Sequence, residues 1–243
     1  MSGRRRLDRA LVEAGLADSR SAAQALIADG RVTLDGRAAE KPAQPAPEGA
    51  ALAVAEGPRW ASRGALKLIA ALDAFGIDPA GLRAIDLGAS TGGFTDVLLA
   101  RGAAHVAAVD VGAGQLRPRL AAHPAVTAHE NTDARALPEG LAEAADLIVA
   151  DLSFISLAKA LPPVLSAARP GARLVALVKP QFEAGRAAVG KGGVVRDPAA
   201  QAGAVSAVRD AVEAAGWRVL GSIESPVTGG DGNREWLLAA VKS

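Results

Sequence analysis

One stretch constrains the fold more than any other: the short apolar run Arg83-Ala-Ile-Asp-Leu87 passes straight into Gly88-Ala-Ser-Thr-Gly-Gly-Phe94, after which helical periodicity resumes near Thr95. A glycine-rich turn between a strand and a helix lets a ligand approach the backbone, with the helix N-terminal amides pointing at it. The alternation then recurs. Apolar strands at His105 to Val109, Ala125 to His129, Leu147 to Ala150 and Arg173 to Val178 are separated by helical stretches, which predicts a parallel sheet covered by helices on both faces. The end differs. Arg218 to Ile223 and Trp236 to Val241 are joined by a Pro-, Gly-, Asp- and Asn-rich loop at 225 to 233 with no helix, which predicts an antiparallel edge pair.

Upstream lies a smaller α+β pattern. Leu7, Leu11 and Val12 share a helical face that stops at Gly15, and Asp18 or Ser19 caps a second helix with the stripe Ala22, Ala23, Leu26, Ile27 that ends at Gly30. Arg31-Val-Thr-Leu-Asp-Gly36 reads as a strand entering a hairpin, Lys41 to Pro47 as a Pro- and Ala-rich loop, and Ala50 to Ala55 as a further strand. After the break at Glu56-Gly-Pro58 we expect a small domain over 1–58, a linker over 59–61 and a large domain over 62–243.

Composition narrows the chemistry. The chain has no Cys, which removes disulfides, thiolate metal sites and cysteine nucleophiles, and its three His, at 105, 123 and 129, have no ligand-like spacing. A metal site is not expected. No apolar run approaches the roughly 20 residues of a bilayer span, and the basic start Arg4-Arg-Arg6 leads into no apolar stretch of a secretory signal, so a cytoplasmic protein with no membrane partner is expected. With a net charge of +1, local clusters matter more than the total. Arg4, Arg5, Arg6 and Arg9 face only Asp8; Arg59, Arg63 and Lys67 lie in a stretch without acids; Lys179, Arg186, Lys191 and Arg196 have Glu183 as their only acidic neighbour before Asp197.

The glycine loop departs from the dinucleotide pattern. Asp86 stands two residues before Gly88, where a carboxylate would repel a pyrophosphate but suits the ammonium of a sulfonium amino acid. One strand later Asp110-Val111 places an acid for ribose hydroxyls, and after the next Asp133-Ala134 offers a carboxylate to an adenine amino group. Three acids at successive strand ends, around Gly88, Ala89, Ser90, Thr91, Gly92, Gly93 and Phe94, point to S-adenosylmethionine rather than a nicotinamide cofactor. The fold expected is α/β, the Rossmann-like seven-stranded class I methyltransferase arrangement.

Asp151 follows the fourth strand, where such folds place the reacting groups. Leu152-Ser153 stands where amino-nitrogen methyltransferases carry a Pro-Pro pair, which weakens an exocyclic amine as substrate. Lys179 emerges from a Val-rich buried strand and is a candidate general base; a ribose 2′-hydroxyl needs one, since its proton must leave as the oxygen attacks. Lys67, with Arg63 four residues before it on an expected common helical face, and Glu235, at the start of the last strand, complete a tetrad. Phe154 either stacks on a flipped nucleotide or packs beside Ile155.

Lys67, Asp151, Lys179 and Glu235, together with Asp86-Leu-Gly-Ala-Ser-Thr-Gly-Gly-Phe-Thr95, Ser62-Arg-Gly-Ala-Leu-Lys-Leu68, Ala150-Asp-Leu-Ser-Phe-Ile-Ser156 and Val178-Lys-Pro-Gln-Phe-Glu183, resemble the TlyA (hemolysin A) family of rRNA 2′-O-methyltransferases over nearly the whole chain. Arg6-Leu-Asp-Arg-Ala-Leu11, Gly15-Leu16, Ser19-Arg20 and Gly30-Arg31-Val32 are similar to the S4 RNA-binding domain of that family, and the large domain to FtsJ-like methyltransferases. The resemblance implies an S-adenosylmethionine-dependent enzyme acting on a cytidine ribose in ribosomal RNA or ribosomal subunits. Lys179 would act as base, Lys67 and Glu235 would orient the ribose, and Asp151 would hold the lysines. Arg4, Arg5, Arg6, Arg9, Arg20, Arg31, Arg59 and Arg63 would lie against RNA phosphates. Hemolysis has no support in any membrane-spanning or strongly amphipathic segment. Base methylation of RNA or DNA, distinguished by alkaline digestion, and a non-catalytic ribosome-binding role, distinguished by cofactor binding, are the competing readings.

Overall fold

A computed structural model describes residues 5–28, 30–39, 41–55 and 60–243, and the chain divides into two compact units, residues 1–63 and 64–243. Arg4 and Arg59 of the expected RNA-contacting set, and the break at 56–58, lie outside the described residues.

The first unit runs β1 (Arg5–Arg6), α1 (Leu7–Glu13), α2 (Arg20–Ala28), β2 (Val32–Leu34), β3 (Arg37–Ala38), β4 (Pro45–Ala46) and β5 (Leu52–Val54). Leu7, Ala10, Leu11, Ala23, Ile27 and Val32 form its core. Ser19 is the cap of α2, its Oγ accepting the amide of Ala22 at 3.1 Å. Asp35 and Gly36 both have positive φ, 51° and 76°, the backbone that a two-residue hairpin between β2 and β3 demands. The Pro- and Ala-rich segment read as loop contributes β4, which pairs antiparallel with β1, Arg5 opposite Ala46. A two-residue edge strand tolerates Pro45 because one missing donor there breaks no continuous ladder.

The second unit holds α3 (Gly64–Phe75), β6 (Arg83–Leu87), α4 (Gly93–Ala100), β7 (His105–Val109), α5 (Pro118–Ala121), β8 (Val126–His129), β9 (Leu147–Ala150), α6 (Leu157–Ala167), β10 (Arg173–Val178), α7 (Pro180–Glu183), α8 (Pro198–Ala214), β11 (Trp217–Glu224) and β12 (Trp236–Lys242). Its seven-stranded sheet has the order β11-β12-β10-β9-β6-β7-β8, with β12 alone running opposite to the other six strands. Strand alternation sorts the side chains. Ile85, Leu87, Ile148, Ala150, Leu174, Ala176 and Val178 pack with Leu157 and Leu161 of α6 and Val208 and Val212 of α8. Asp86, between Ile85 and Leu87, therefore points to the opposite face. Because β6 is flanked by β7 on one side and β9 on the other, a crevice opens at its carboxyl end. Among the described residues no helix is long and apolar enough to cross a membrane.

Candidate active site

The crevice is a cavity of about 400 Å³ bounded by residues from the carboxyl ends of four strands, including Gly88, Asp110, Asp133 and Asp151. That volume lies in the usual range for a cofactor pocket. Gly88 has φ +82°, and a Cβ there would lie 2.6 Å from the carbonyl oxygen of Asp151. Glycine is required twice over: for the backbone angle and for the close passage of the β9 end. The Gly88 and Ala89 amides donate to the Val109 carbonyl, at 2.9 and 3.1 Å, which folds the loop over β7.

Asp110 organises the opposite wall. Its Oδ2 accepts the Ser90 amide and its Oδ1 the Gly112 amide, both at 2.8 Å, and each oxygen keeps further acceptor capacity on a residue that lines the cavity. Ser90, in the left-handed region at φ 47°, also donates from Oγ to Gln115 Oε1 at 3.2 Å. Asp133 is engaged by Arg135 through two side-chain bonds at 2.9 and 2.5 Å, and that guanidinium holds its carboxyl down at about 2. It remains a permanent carboxylate on the cavity wall.

Asp86 divides its work. Its Oδ2 accepts the Thr95 amide at 2.8 Å and the Thr95 hydroxyl at 2.7 Å, anchoring the first turn of α4. Its Oδ1 is buried without a hydrogen-bond partner among the described residues. Burial, opposed by the Thr95 bonds and reinforced by the charges of Asp151 and Asp110, pushes this carboxyl up to about 7. A buried acid with an orphaned oxygen beside the glycine loop fits a group that brings an ammonium, as the amino-acid end of S-adenosylmethionine does.

The glycine loop corrects the expectation in detail. Gly88 and Ser90 line the cavity, whereas Asp86, Ala89, Thr91, Gly92, Gly93 and Phe94 do not: Asp86 is fully buried beneath the loop, and α4, beginning at Gly93 rather than near Thr95, turns Phe94, 3% exposed, into the core. Gly92, at φ +97°, makes room for Leu116 and Leu120. Val111 and Ala134 do line the cavity, as do Gln115, Thr132 and Ile155, which had not been singled out. The one signal for Gln115 is its place as the polar residue of the glycine-rich turn Gly112-Ala-Gly-Gln115 after Asp110.

The tetrad assembles as two ion pairs. Lys179 Nζ lies 2.6 Å from Asp151 Oδ1 and donates to Ser153 Oγ at 2.8 Å. Lys67 Nζ lies 2.5 Å from Glu235 Oε2, with the two side chains only 10% and 3% exposed. Asp151 thus holds one lysine, not both: the second carboxylate is Glu235. Register explains the meeting. Val178 pairs with Trp236 across β10 and β12, so Lys179 and Glu235 emerge side by side, and β9 running parallel to β10 ends in Asp151 at the same edge. A Cβ on Gly229 would lie 2.6 Å from Glu235 Oε1, so the 225–233 loop closes directly on this carboxylate. Arg63 is exposed and precedes α3 while Lys67 is buried within it, so the two do not form the common basic face expected.

Phe154 is 91% exposed at φ 64°, which overturns packing beside Ile155 as its role. In the first unit, Arg6 and Arg20 converge on Asp8, a fully buried carboxylate, and hold it well below the usual range, Arg6 foremost. Arg5 pairs with Glu13 at 2.6 Å, and Arg31 donates to the Ala55 carbonyl. Arg9 is exposed with no ion pair among the described residues. The arginines expected to be free for RNA are thus largely braced against their own domain.

A seven-stranded sheet of this order, a glycine turn at its switch point and a buried acid beneath it define an S-adenosylmethionine-dependent methyltransferase. A solved S-adenosylmethionine-dependent methyltransferase from Mesorhizobium loti shares the fold at TM-score 0.55 and 21% identity, over 74% of this chain and 99% of that one. The FtsJ-like methyltransferase family matches residues 60–242 and the S4 domain residues 5–52. The chain belongs to the TlyA family of FtsJ-like methyltransferases, being 51% identical over 98% of its length, and 90% of the relative's, to the 16S/23S rRNA (cytidine-2′-O)-methyltransferase TlyA of Mycobacterium tuberculosis. It is 35% identical to the 23S rRNA (cytidine-2′-O)-methyltransferase TlyA of Campylobacter jejuni, over 76% of this chain and 72% of that protein. A solved structure described as a hemolysin from Streptococcus thermophilus aligns with all of this chain and 90% of its own at TM-score 0.74 and 36% identity.

Proposed function

We propose that this protein transfers a methyl group from S-adenosylmethionine to the 2′-hydroxyl of a cytidine in ribosomal RNA, and that it works in the cytoplasm, where that RNA is. The observation that carries the reading is the pair of lysine–carboxylate contacts at the carboxyl edge of the sheet, one of which, through Asp151, borders the cofactor cavity. When bound, S-adenosylmethionine supplies a methyl group on a sulfonium, a strong electrophile. Asp86 Oδ1 would receive its ammonium, Asp110 its ribose hydroxyls, and the Asp133-Ala134 wall its adenine.

As the neutral amine, reached by giving up its ammonium proton to solvent, Lys179 takes the 2′-proton while the oxygen attacks, and Asp151 and Ser153 stabilise the ammonium that results. Lys67 and Glu235, held by one another, fix the ribose for that transfer. Phe154 offers its exposed ring to the base of the nucleotide drawn out of its stack; a left-handed backbone at a bulky residue is strain that packing does not repay. The S4 unit adds phosphate affinity through Arg9 and the exposed flanks of Arg6 and Arg20.

The test is a map of alkali-resistant positions in ribosomal RNA from cells with and without the protein. A ribose methyl protects its 3′ phosphodiester from alkali, so one or more cytidines become resistant only when the protein is present. Protein-dependent methylation that leaves every linkage alkali-labile would replace the ribose by a base.

A further inference from the structure

Beyond the cofactor cavity lies a second depression of about 470 Å³, lined by Phe154, Ile155, Ser156, Gln181, Phe182 and Arg186 among others. Phe154 and Ile155 line both, so the two adjoin. The Phe154 and Phe182 rings stand 5.4 Å apart at 50°, too close to admit a base between them. They form a ledge with two usable faces: Phe154 borders the cofactor cavity, and Phe182 the groove.

Two polar groups of the groove are unspent. Gln181 Oε1 is buried with no hydrogen-bond partner, and Arg186 is exposed with no ion pair among the described residues. Gln181 lines the groove, and its terminal amide torsion is soft, so the unpartnered oxygen is free to reorient toward a donor. The walls are fixed: Glu183 accepts from the Ser156 hydroxyl and the Leu157 amide, both at 2.6 Å, tying α7 to the start of α6. Lys179 is the N-cap residue of α7, so one short segment carries both the lysine of the tetrad and the groove's aromatic wall.

We infer that this groove is a second nucleotide subsite, holding the nucleotide that adjoins the methylated one. Its base lies against Phe182, its exocyclic or ring N–H donates to Gln181, and its phosphate meets Arg186. Aromatic face, amide and guanidinium are what a single-stranded nucleotide requires, and every base has a face to stack. The inference rests on the ribose-methylation reading, since it places the adjoining nucleotide by reference to the one at Lys179.

The test uses the full-length protein, labelled S-adenosylmethionine and ribosomal subunits from cells lacking the protein. Phe182→Ala is expected to raise KM for subunits about tenfold or more by loss of base stacking, with cofactor affinity retained. Arg186→Ala is expected to reduce the slope of log affinity against log salt by about one, the mark of a lost phosphate contact. Phe182→Leu, which keeps apolar bulk without the aromatic face, guards against misfolding and is expected to shift KM in the same direction. An active wild type with unchanged KM in Phe182→Leu and an unchanged salt slope in Arg186→Ala would overturn the subsite alone. Loss of cofactor affinity in step with KM in Phe182→Leu would overturn it too, making the ring a prop of the cavity. Label that the wild type places on subunits while every linkage stays alkali-labile would overturn the ribose reading itself.

Discussion

Lys67 and Glu235 stand 168 residues apart in the chain, yet their side chains meet at 2.5 Å in a place almost closed to water. Lone charges there would be costly, so each is the condition for burying the other.

Removing either partner strands its mate. Lys67→Ala and Glu235→Ala are each expected to destabilise the fold by about 3–5 kcal/mol, read as lower melting temperatures. The double replacement Lys67→Met with Glu235→Leu is expected to recover most of the stability and none of the methyl transfer. Full activity in that double variant would leave the pair a structural clamp only.

Lys179→Ala is expected to lower methyl transfer to ribosomal subunits by about 10²- to 10⁴-fold, the usual contribution of a general base, while calorimetry shows cofactor binding unchanged. Ser153→Ala removes the hydroxyl 2.8 Å from Nζ but leaves Asp151 in place, so a smaller loss confined to kcat is expected. Near-normal turnover in Lys179→Ala excludes it as base.

Gly88→Ala places a methyl against the Asp151 carbonyl and forces a left-handed angle on alanine. The backbone angle alone costs about 1–2 kcal/mol. Relief of the contact must shift the Asp151 backbone, so cofactor binding and turnover are expected to fall together, measured by calorimetry and initial rates. A variant that binds the cofactor normally would show that the crevice can open at this point.

Asp86 is held mainly protonated below about pH 7, chiefly by burial. A cationic ligand group favours the ionised acid, so affinity for S-adenosylmethionine is expected to rise with pH through about 7 and then level, with a proton released on binding at lower pH. Titrations in buffers of different ionisation enthalpy measure that proton. The sign for stability is opposite. Because the folded acid titrates above its unfolded value, its contribution is full below about pH 4 and is lost as pH rises through about 7. Asp86→Asn is expected to flatten both profiles.

Much of this was legible along the chain because the relevant forces are local. Strand alternation and the glycine turn placed β6, β7, β9 and β10 at the expected residues, and Asp-Gly at 35–36 marked its hairpin, since periodicity and backbone sterics act within a few residues. The length-two pairing of β1 with β4 was not legible, because such short strands are made by their partner rather than by their own pattern.

What only the tertiary structure decided is partnership. The four residues proposed to react stood in the sequence, but that Lys179 takes Asp151 while Lys67 takes Glu235 follows from the register of β12 beside β10 and from α3 delivering Lys67 to that edge. The same holds for Phe154, turned outward on a left-handed backbone, and for Arg6 and Arg20, drawn onto a buried Asp8. Side-chain type and spacing set which chemistry is available; desolvation and reach, which depend on every element packed around a group, choose the partner each charge takes.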